Sequence, residues 1–248
     1  MNGNSALTVL ARGAEALGLS LSPPQMEAFA IYLDELLRES PAADLTAIDD
    51  PHEVQRRHFL ESLALGVELE RLGLLSPAEA VRAIDVGTGA GLPGLPLRIV
   101  WPSLRLTLLD SERRKTDFLR RLLSRLNLGD VEVVWGRAEE VARDPRHRQG
   151  YDLALARAVA PLPVLAELAL PFLRVGGHLV SPKGERVRQE VEEARRALAE
   201  CGGQVVYLAP LPLPYEGTAP MLLVVRKVAP TPERYPRRPG IPAKRPLR

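Results

Sequence analysis

The sequence is poor in the residues that carry several common chemistries. It has one cysteine in 248 residues, Cys201, which excludes a disulfide framework and a thiolate zinc site. Its four histidines, His52, His58, His147 and His178, lack metal-ligand spacing, and His178 is expected inside the sheet, so no metal is expected. Aromatic residues make up only 4%, too few for obvious base-stacking platforms. No apolar run reaches membrane-spanning length and the first residues lack a basic start, so the expectation is a soluble, cytoplasmic chain with no membrane partner. There is no internal repeat. Apolar residues at 46% suffice to bury the core of one large α/β domain and exclude global disorder.

Charge is nearly balanced, at +2 overall, but unevenly spread. From Arg226 to Arg248 there are eight Lys/Arg against Glu233 alone, which leaves the remainder of the chain mildly acidic. A basic, proline-rich end suggests a polyanionic partner, against the plainer reading of a solvated tail. Its prolines and Gly240 rule out a long helix, so residues 229–248 are expected to run as an extended arm with cations available to phosphates. If that arm instead packs back on the helical residues of the N-terminal part, Tyr235 and Ile241 are the anchors.

The centre of the chain is the run Ala83 to Gly94. An apolar strand starting at Val81 meets Asp85, and glycines follow at Gly87, Gly89, Gly91 and Gly94. This reads as a strand, a turn that needs left-handed backbone, and a helix start, a place where a nucleotide-like ligand approaches bare backbone. Gly89, Gly91 and Gly94 spell the dinucleotide pattern G-x-G-x-x-G, but that motif places its first glycine directly at the strand end. A carboxylate beside the turn repels a pyrophosphate and suits the ammonium of an amino-acid tail, which S-adenosylmethionine carries. A second strand from Leu104 ends in Asp110, where an acid accepts both ribose hydroxyls.

Around this pair the rest alternates. Residues 1–80 read as a helical cap with start signals at Ser22-Pro23-Pro24-Gln25, Asp50-Pro51-His52-Glu53 and Ser76-Pro77-Ala78-Glu79, the last opening a short helix. Residues 81–228 alternate strand and helix. Helices are expected over 111–127, 163–172 and 185–200, and further strands over 131–135, 151–156, 178–181, 204–209 and 221–228, the last two as an antiparallel pair. Cys201 is a small core residue in this scheme.

Leu45-Thr46-Ala47-Ile48, Arg57-His58, the Asp85–Gly94 run, Leu108-Leu109-Asp110-Ser111, Arg157-Ala158 and the tail Tyr235-Pro236-Arg237-Arg238-Pro239-Gly240-Ile241-Pro242 together resemble the bacterial GidB family of small-subunit rRNA guanine-N7 methyltransferases. The resemblance runs from about Asp44 to the C-terminus. Asp44 stands where asparagine is usual and Glu61 where aspartate is usual.

The resemblance implies a Rossmann-like class I methyltransferase fold, with a seven-stranded, mostly parallel sheet and an N-terminal helical extension. It implies S-adenosylmethionine as cofactor, with S-adenosylhomocysteine as product, and N7 of guanine 527 in 16S rRNA as acceptor. The partner is then 16S rRNA, an assembly intermediate or the small subunit, with no protein partner evident and a monomer by default. N7 has a lone pair and no proton to lose, so no general base is required and alignment is the task.

In the cofactor site the expected residues are Asp85, Gly87, Gly89 and Leu92 under the methionine part, and Asp110, Ser111 and Glu112 at the ribose. Ala138 and Glu139 are expected at the adenine edge, and Arg157 beside the methyl donor. Arg157 is read as a positioning group, against the plainer alternative of an ion pair with Asp85 or Asp152. Candidate RNA contacts are Arg56, Arg57, His58, Arg113, Arg114, Lys115, Lys183, Arg234, Arg237, Arg238, Lys244 and Arg245. Competing functions are a small-molecule or protein methyltransferase on the same fold, and a non-catalytic RNA-binding ribosome-assembly factor.

Overall fold

The computed structural model describes residues 7–247. Its frame is one seven-stranded sheet: β1 (Val81–Val86), β2 (Leu104–Asp110), β3 (Glu132–Trp135), β4 (Tyr151–Leu155), β5 (Leu173–Lys183), β6 (Gly203–Pro210) and β7 (Met221–Lys227). Their spatial order is β3-β2-β1-β4-β5-β7-β6. The first five strands are parallel, and β7 runs antiparallel between β5 and β6. The chain reverses its direction of spread between β1 and β4, the crevice where ligands bind in open α/β sheets.

Alternation along the central strands divides the core in two. Ala83, Leu106 and Leu108 pack on one side, while Ile84, Val86 and Leu109 pack on the other. The first side is covered by α1 (Thr8–Ala16), α2 (Pro23–Ala43), α3 (Pro51–Val54) with the π-turn 55–60, α4 (Glu61–Arg71), α5 (Gly94–Val100) and α6 (Arg113–Arg125). The second carries α7 (Ala138–Val141), α8 (Leu162–Ala169), α9 (Val187–Glu193) and α10 (Arg195–Cys201). The expected caps at Ser22 and Asp50 form: Gln25 Oε1 accepts from the Ser22 N–H at 2.8 Å, and Asp50 Oδ1 from the Glu53 N–H at 2.8 Å. Phe29, Tyr32 and Phe59 then pack their rings together, and the Tyr32 hydroxyl donates to the Ala90 carbonyl at 2.7 Å. One helical turn of the N-terminal part is thus bolted directly onto the glycine loop.

Several expectations are corrected. Ser76 does cap, accepting from the Ala78 and Glu79 N–H groups, but no helix follows because β1 starts at Val81, within one turn. α6 begins at Arg113, not at residue 111, since Asp110 Oδ1 takes the Glu112 N–H and fixes that residue as an extended cap. The helix expected over 163–172 starts at Leu162 and tightens to a 3₁₀ turn over 170–172. The one expected over 185–200 is two helices broken at Ala194, whose N–H is shared between the Glu190 and Val191 carbonyls. β5 is far longer than residues 178–181. Its register against β4 jumps from Tyr151↔Leu173 to Leu153↔His178, and a side chain at Gly177 would lie 2.9 Å from the Asp152 carbonyl oxygen. The glycine pair is a bulge inside a strand rather than a turn before one. His178 is half-buried there, and burial lowers its pKa.

The C-terminal segment is not an extended arm. Thr231, Tyr235 and Leu247 are buried, Tyr235 and Leu247 within the second core. A short α11 (Ile241–Lys244) follows Gly240. Ile241 is half-buried, but the surface that receives the segment is α7, α8 and α10, not the N-terminal helices. The anchoring is polar as well as apolar: Arg143 and Arg148 donate to all six carbonyls from Thr231 to Pro236.

Candidate active site

β1 ends at Val86, and Gly87 (φ 67°) and Gly89 (φ 57°) adopt the left-handed conformation the turn requires. The N–H groups of Gly87 and Thr88 return to the Leu109 carbonyl, which ties this turn to the end of β2. Asp85 lies completely buried beneath it: Oδ2 accepts from the Thr88 hydroxyl at 2.8 Å and the Gly94 N–H at 2.9 Å, so it braces the loop from below. A side chain at Gly94 would collide with that oxygen at 2.8 Å. Asp85 Oδ1 is buried with no hydrogen-bond partner, and burial raises the carboxyl pKa to about 6.

Asp110, at the end of β2, has both carboxylate oxygens engaged, Oδ2 by the Gly89 N–H at 2.8 Å and Oδ1 by the Glu112 N–H at 2.9 Å. It borders a cavity of about 300 Å³ whose lining includes Gly87, Ser111, Ala138 and Glu139. Of the residues expected to hold the cofactor, these five line it. Asp85 and Gly89 act one step behind through the bonds just given, Leu92 is buried under the loop, and Glu112 pairs with Lys115 at 2.7 Å. Other walls of the cavity include Val159, Ala160, Val164 and Leu168 and the C-terminal residues Gly240, Pro242 and Ala243. Sequence reasoning missed all seven. The first four are ordinary apolar residues, whereas the motif Pro239-Gly240-Ile241-Pro242 was available as a signal and was read only as a tail.

A second, wider cavity of about 830 Å³ adjoins the first and shares the wall formed by Val159 and Ala160. Arg57, His58, Glu61, Arg157, Lys183 and Thr218 are among its lining residues. Just after β4, Ala158 takes φ 57°, a conformation that costs an alanine about 1 kcal/mol and marks a constrained turn. Arg157 pairs with neither Asp85 nor Asp152. Its Nη1 donates to the Arg57 carbonyl at 2.8 Å, its Nη2 faces His58 Nδ1 at 3.1 Å, and Glu61 lies 3.7 Å away. Asp152 is engaged by Arg174 and by the Arg82 N–H instead.

Arginine has no acceptor, so His58 Nδ1 accepts and the ring proton sits on Nε2, which donates to Thr46 Oγ1 at 2.7 Å. Burial and the Arg157 charge hold the His58 pKa down at about 4, and the ring is neutral at pH 7. Glu61 receives the Tyr215 hydroxyl at 3.2 Å, and burial raises its pKa. Asp44, the other departure from the family pattern, ends α2 at φ 50°, a left-handed position that asparagine and aspartate both tolerate through their short polar side chains.

The basic candidates separate into engaged and free groups. Arg56 pairs with Glu53, Lys183 with Glu190 and the Ala160 carbonyl, Arg234 with Glu200, and Arg237 with the fully buried Glu167. Arg113 lies over the exposed Trp135 ring at 5.3 Å and Arg114 reaches the Ala42 carbonyl. Arg57, Arg238, Lys244 and Arg245 are exposed, with no ion pair among the described residues. Among those residues no cluster of His, Cys, Asp or Glu is arranged to hold a metal, and no helix is long and apolar enough to cross a membrane.

A family model described as GidB, rRNA small subunit methyltransferase G, matches residues 25–211. Ribosomal RNA small subunit methyltransferase G of Roseiflexus castenholzii is 46% identical over 238 residues, covering 96% of this chain and 98% of that protein. The protein of the same name from Deinococcus radiodurans is 45% identical, over 96% and 92% of the two chains. Among solved structures, MtNAS in complex with S-adenosylmethionine aligns with TM-score 0.54 at 18% identity, over 82% of this chain and 79% of that one. A methyltransferase structure from Methanococcus maripaludis aligns with TM-score 0.52 at 15% identity, over 79% and 92%. At such identities the solved structures establish the class I methyltransferase fold alone, and the sequence relatives establish the rest: the chain belongs to the GidB family of rRNA small subunit methyltransferases.

Proposed function

We propose that the protein transfers the methyl group of S-adenosylmethionine to N7 of a guanine in 16S rRNA, position 527 by its family resemblance, acting on the RNA free or within a small-subunit particle. The cofactor is assigned to the narrower cavity and the target base to the wider one, with the transferred methyl at their shared wall, Val159–Ala160. The residues present fit the cofactor on two counts. Asp85 keeps a buried carboxylate oxygen without a partner close to the loop where an ammonium belongs. Asp110 and Glu139 supply acidic groups to the same cavity, as a ribose diol and an adenine amino group require. When bound, S-adenosylmethionine supplies a methyl already activated as a sulfonium.

What the chain contributes is placement. Gly87 leaves the backbone bare beside Val159, and Asp110 holds the Gly89 N–H so that the loop keeps its shape. Arg57 and Arg157 provide positive charge in the wider cavity for a phosphate or for the base O6. The observation that carries the choice of N7 is His58: both of its ring nitrogens are committed, one to Arg157 and one to Thr46, and its pKa is near 4. A histidine so engaged is no proton acceptor, and N7 is a nucleophile that needs none.

The test is single-turnover transfer from radiolabelled S-adenosylmethionine to small-subunit rRNA and particles, with N7-methylguanine mapped by borohydride–aniline cleavage. Cleavage at one guanine is expected. Methyl found on an exocyclic amine or a ring carbon, or RNA binding with no transfer, would overturn the proposal.

A further inference from the structure

The C-terminal segment ends on the cofactor cavity, and its attachment there is built, not incidental. Thr231 starts it in a buried knot: the Lys227 ammonium and the Thr231 hydroxyl both donate to the Cys201 carbonyl, at 2.6 and 2.8 Å, and the ammonium donates to the Thr231 hydroxyl oxygen as well. Burial lowers the Lys227 pKa to about 8. Tyr235 donates its hydroxyl to Glu200 at 2.9 Å while its ring enters the second core. Arg237 makes a two-pronged pair with Glu167, Nε to Oε1 at 2.9 Å and Nη2 to Oε2 at 2.7 Å, and its own N–H adds a third bond to Oε1 at 2.7 Å. Glu167 is fully buried on α8, so this pair sets the segment rigidly against one helix that lines the cavity.

The consequence appears three residues later. Gly240, at φ 79°, donates its N–H to Glu139 Oε1 at 2.9 Å, and Pro242 and Ala243 stand in the cavity wall. Glu139 is 7% exposed, on a four-residue helix that gives it little support of its own. Its second oxygen, Oε2, has no hydrogen-bond partner among the described residues. A free glutamate at this place has several rotamers; one bonded through Oε1 to a fixed backbone N–H has one, with Oε2 left to accept.

We propose that residues 237–243 are a positioning element of the cofactor site: the Gly240 N–H locks the Glu139 carboxylate as the acceptor for the adenine 6-amino group, and Pro242 and Ala243 close the base pocket. This rests on the assignment of the narrower cavity to S-adenosylmethionine. The segment read from sequence as an RNA-binding arm is thus chiefly part of the cofactor pocket, and Arg234 and Arg237 are spent on holding it there.

The experiment compares the binding of S-adenosylhomocysteine with that of S-inosylhomocysteine, in which the 6-amino group is a carbonyl, by calorimetry. The full chain should prefer the adenosyl form by tenfold to a hundredfold, on the order expected for a hydrogen bond to a charged acceptor. A chain ending at Pro239, which keeps Thr231, Tyr235 and Arg237, should bind the adenosyl form more weakly and lose most of that preference. Gly240→Ala is the second variant, for the case that truncation unfolds the chain: its Cβ meets no atom within 4 Å, but φ 79° disfavours alanine and displaces the N–H. A purely structural segment changes melting temperature and both affinities together and leaves their ratio intact, and an intact ratio in Gly240→Ala would overturn the proposal. Asp110→Ala is the control for the underlying assignment. If it leaves both affinities unchanged, the cavity assignment fails; if it weakens both while the tail variants keep the wild-type ratio, only the role of the segment fails.

Discussion

Asp85 offers the sharpest test of the physical account of the loop. A fully buried carboxylate with one unpartnered oxygen is costly when charged, and its pKa rises from 3.8 to about 6. A raised pKa means that, between those two values, the folded chain binds more protons than the unfolded one. Stability from this group is therefore present below about pH 4 and lost as the pH climbs through 6. Two pH units at about 1.4 kcal/mol each give a loss of about 3 kcal/mol. Other groups titrate in the same window with the opposite sign. His58, depressed to about 4, contributes stability that is present above its unfolded value of 6.5 and lost as the pH falls toward 4.

The comparison with Asp85→Asn removes those common contributions. Asparagine keeps an acceptor for the Thr88 hydroxyl and the Gly94 N–H, and it cannot ionise. Urea unfolding of both ligand-free proteins from pH 4 to 8 should show the wild type losing about 3 kcal/mol relative to the variant, nearly all of it below pH 7. Cofactor affinity should move the other way: the variant is expected to bind S-adenosylmethionine at least tenfold more weakly, because the charge proposed to attract its ammonium is gone. Parallel stability curves would refute the claim that Asp85 carries a desolvated charge. A variant that binds the cofactor as tightly as the wild type would refute its link to the ammonium.

Three further outcomes are expected. Asp110→Ala should weaken S-adenosylhomocysteine binding by at least tenfold, through loss of the ribose acceptor and release of the Gly89 N–H, and calorimetry giving an unchanged dissociation constant would remove Asp110 from the site. In Arg157→Met the donor to His58 Nδ1 and its repelling charge are lost while burial, the larger cause, stays, so the His58 pKa should rise above about 4; NMR titration of the ring checks this, and a value that stays near 4 would mean that burial alone sets it. The single-turnover methylation rate of the wild type should be flat from about pH 6.5 to 8.5, and a rise that follows one ionising group would reveal a general base.

Local chemistry alone determined much of this protein. The apolar runs ending β1 and β2, the acids at two strand ends and the glycines between them are short-range signals, and they pointed to the parallel strands, their first crossover and the position of the glycine loop. The caps at Ser22 and Asp50 are equally local and formed as read, whereas Ser76 shows that a cap without room for a turn makes no helix. Cys201 was legible as core from composition and neighbours.

Only the tertiary structure decided which charges are free and which are spent. Arg237 and Arg238 are adjacent and chemically identical in the sequence, yet one is locked to Glu167, 70 residues away, and the other is exposed. The partner of Arg157 was likewise out of reach of sequence reading, because His58 and Glu61 approach it from a helix nearly 100 residues earlier. The same holds for the wall that Pro242 and Ala243 add to the cavity beside Asp110 and Glu139. Backbone propensity and hydrophobic period act over a few residues and are written in the chain, whereas burial and ion pairing depend on what folding brings alongside.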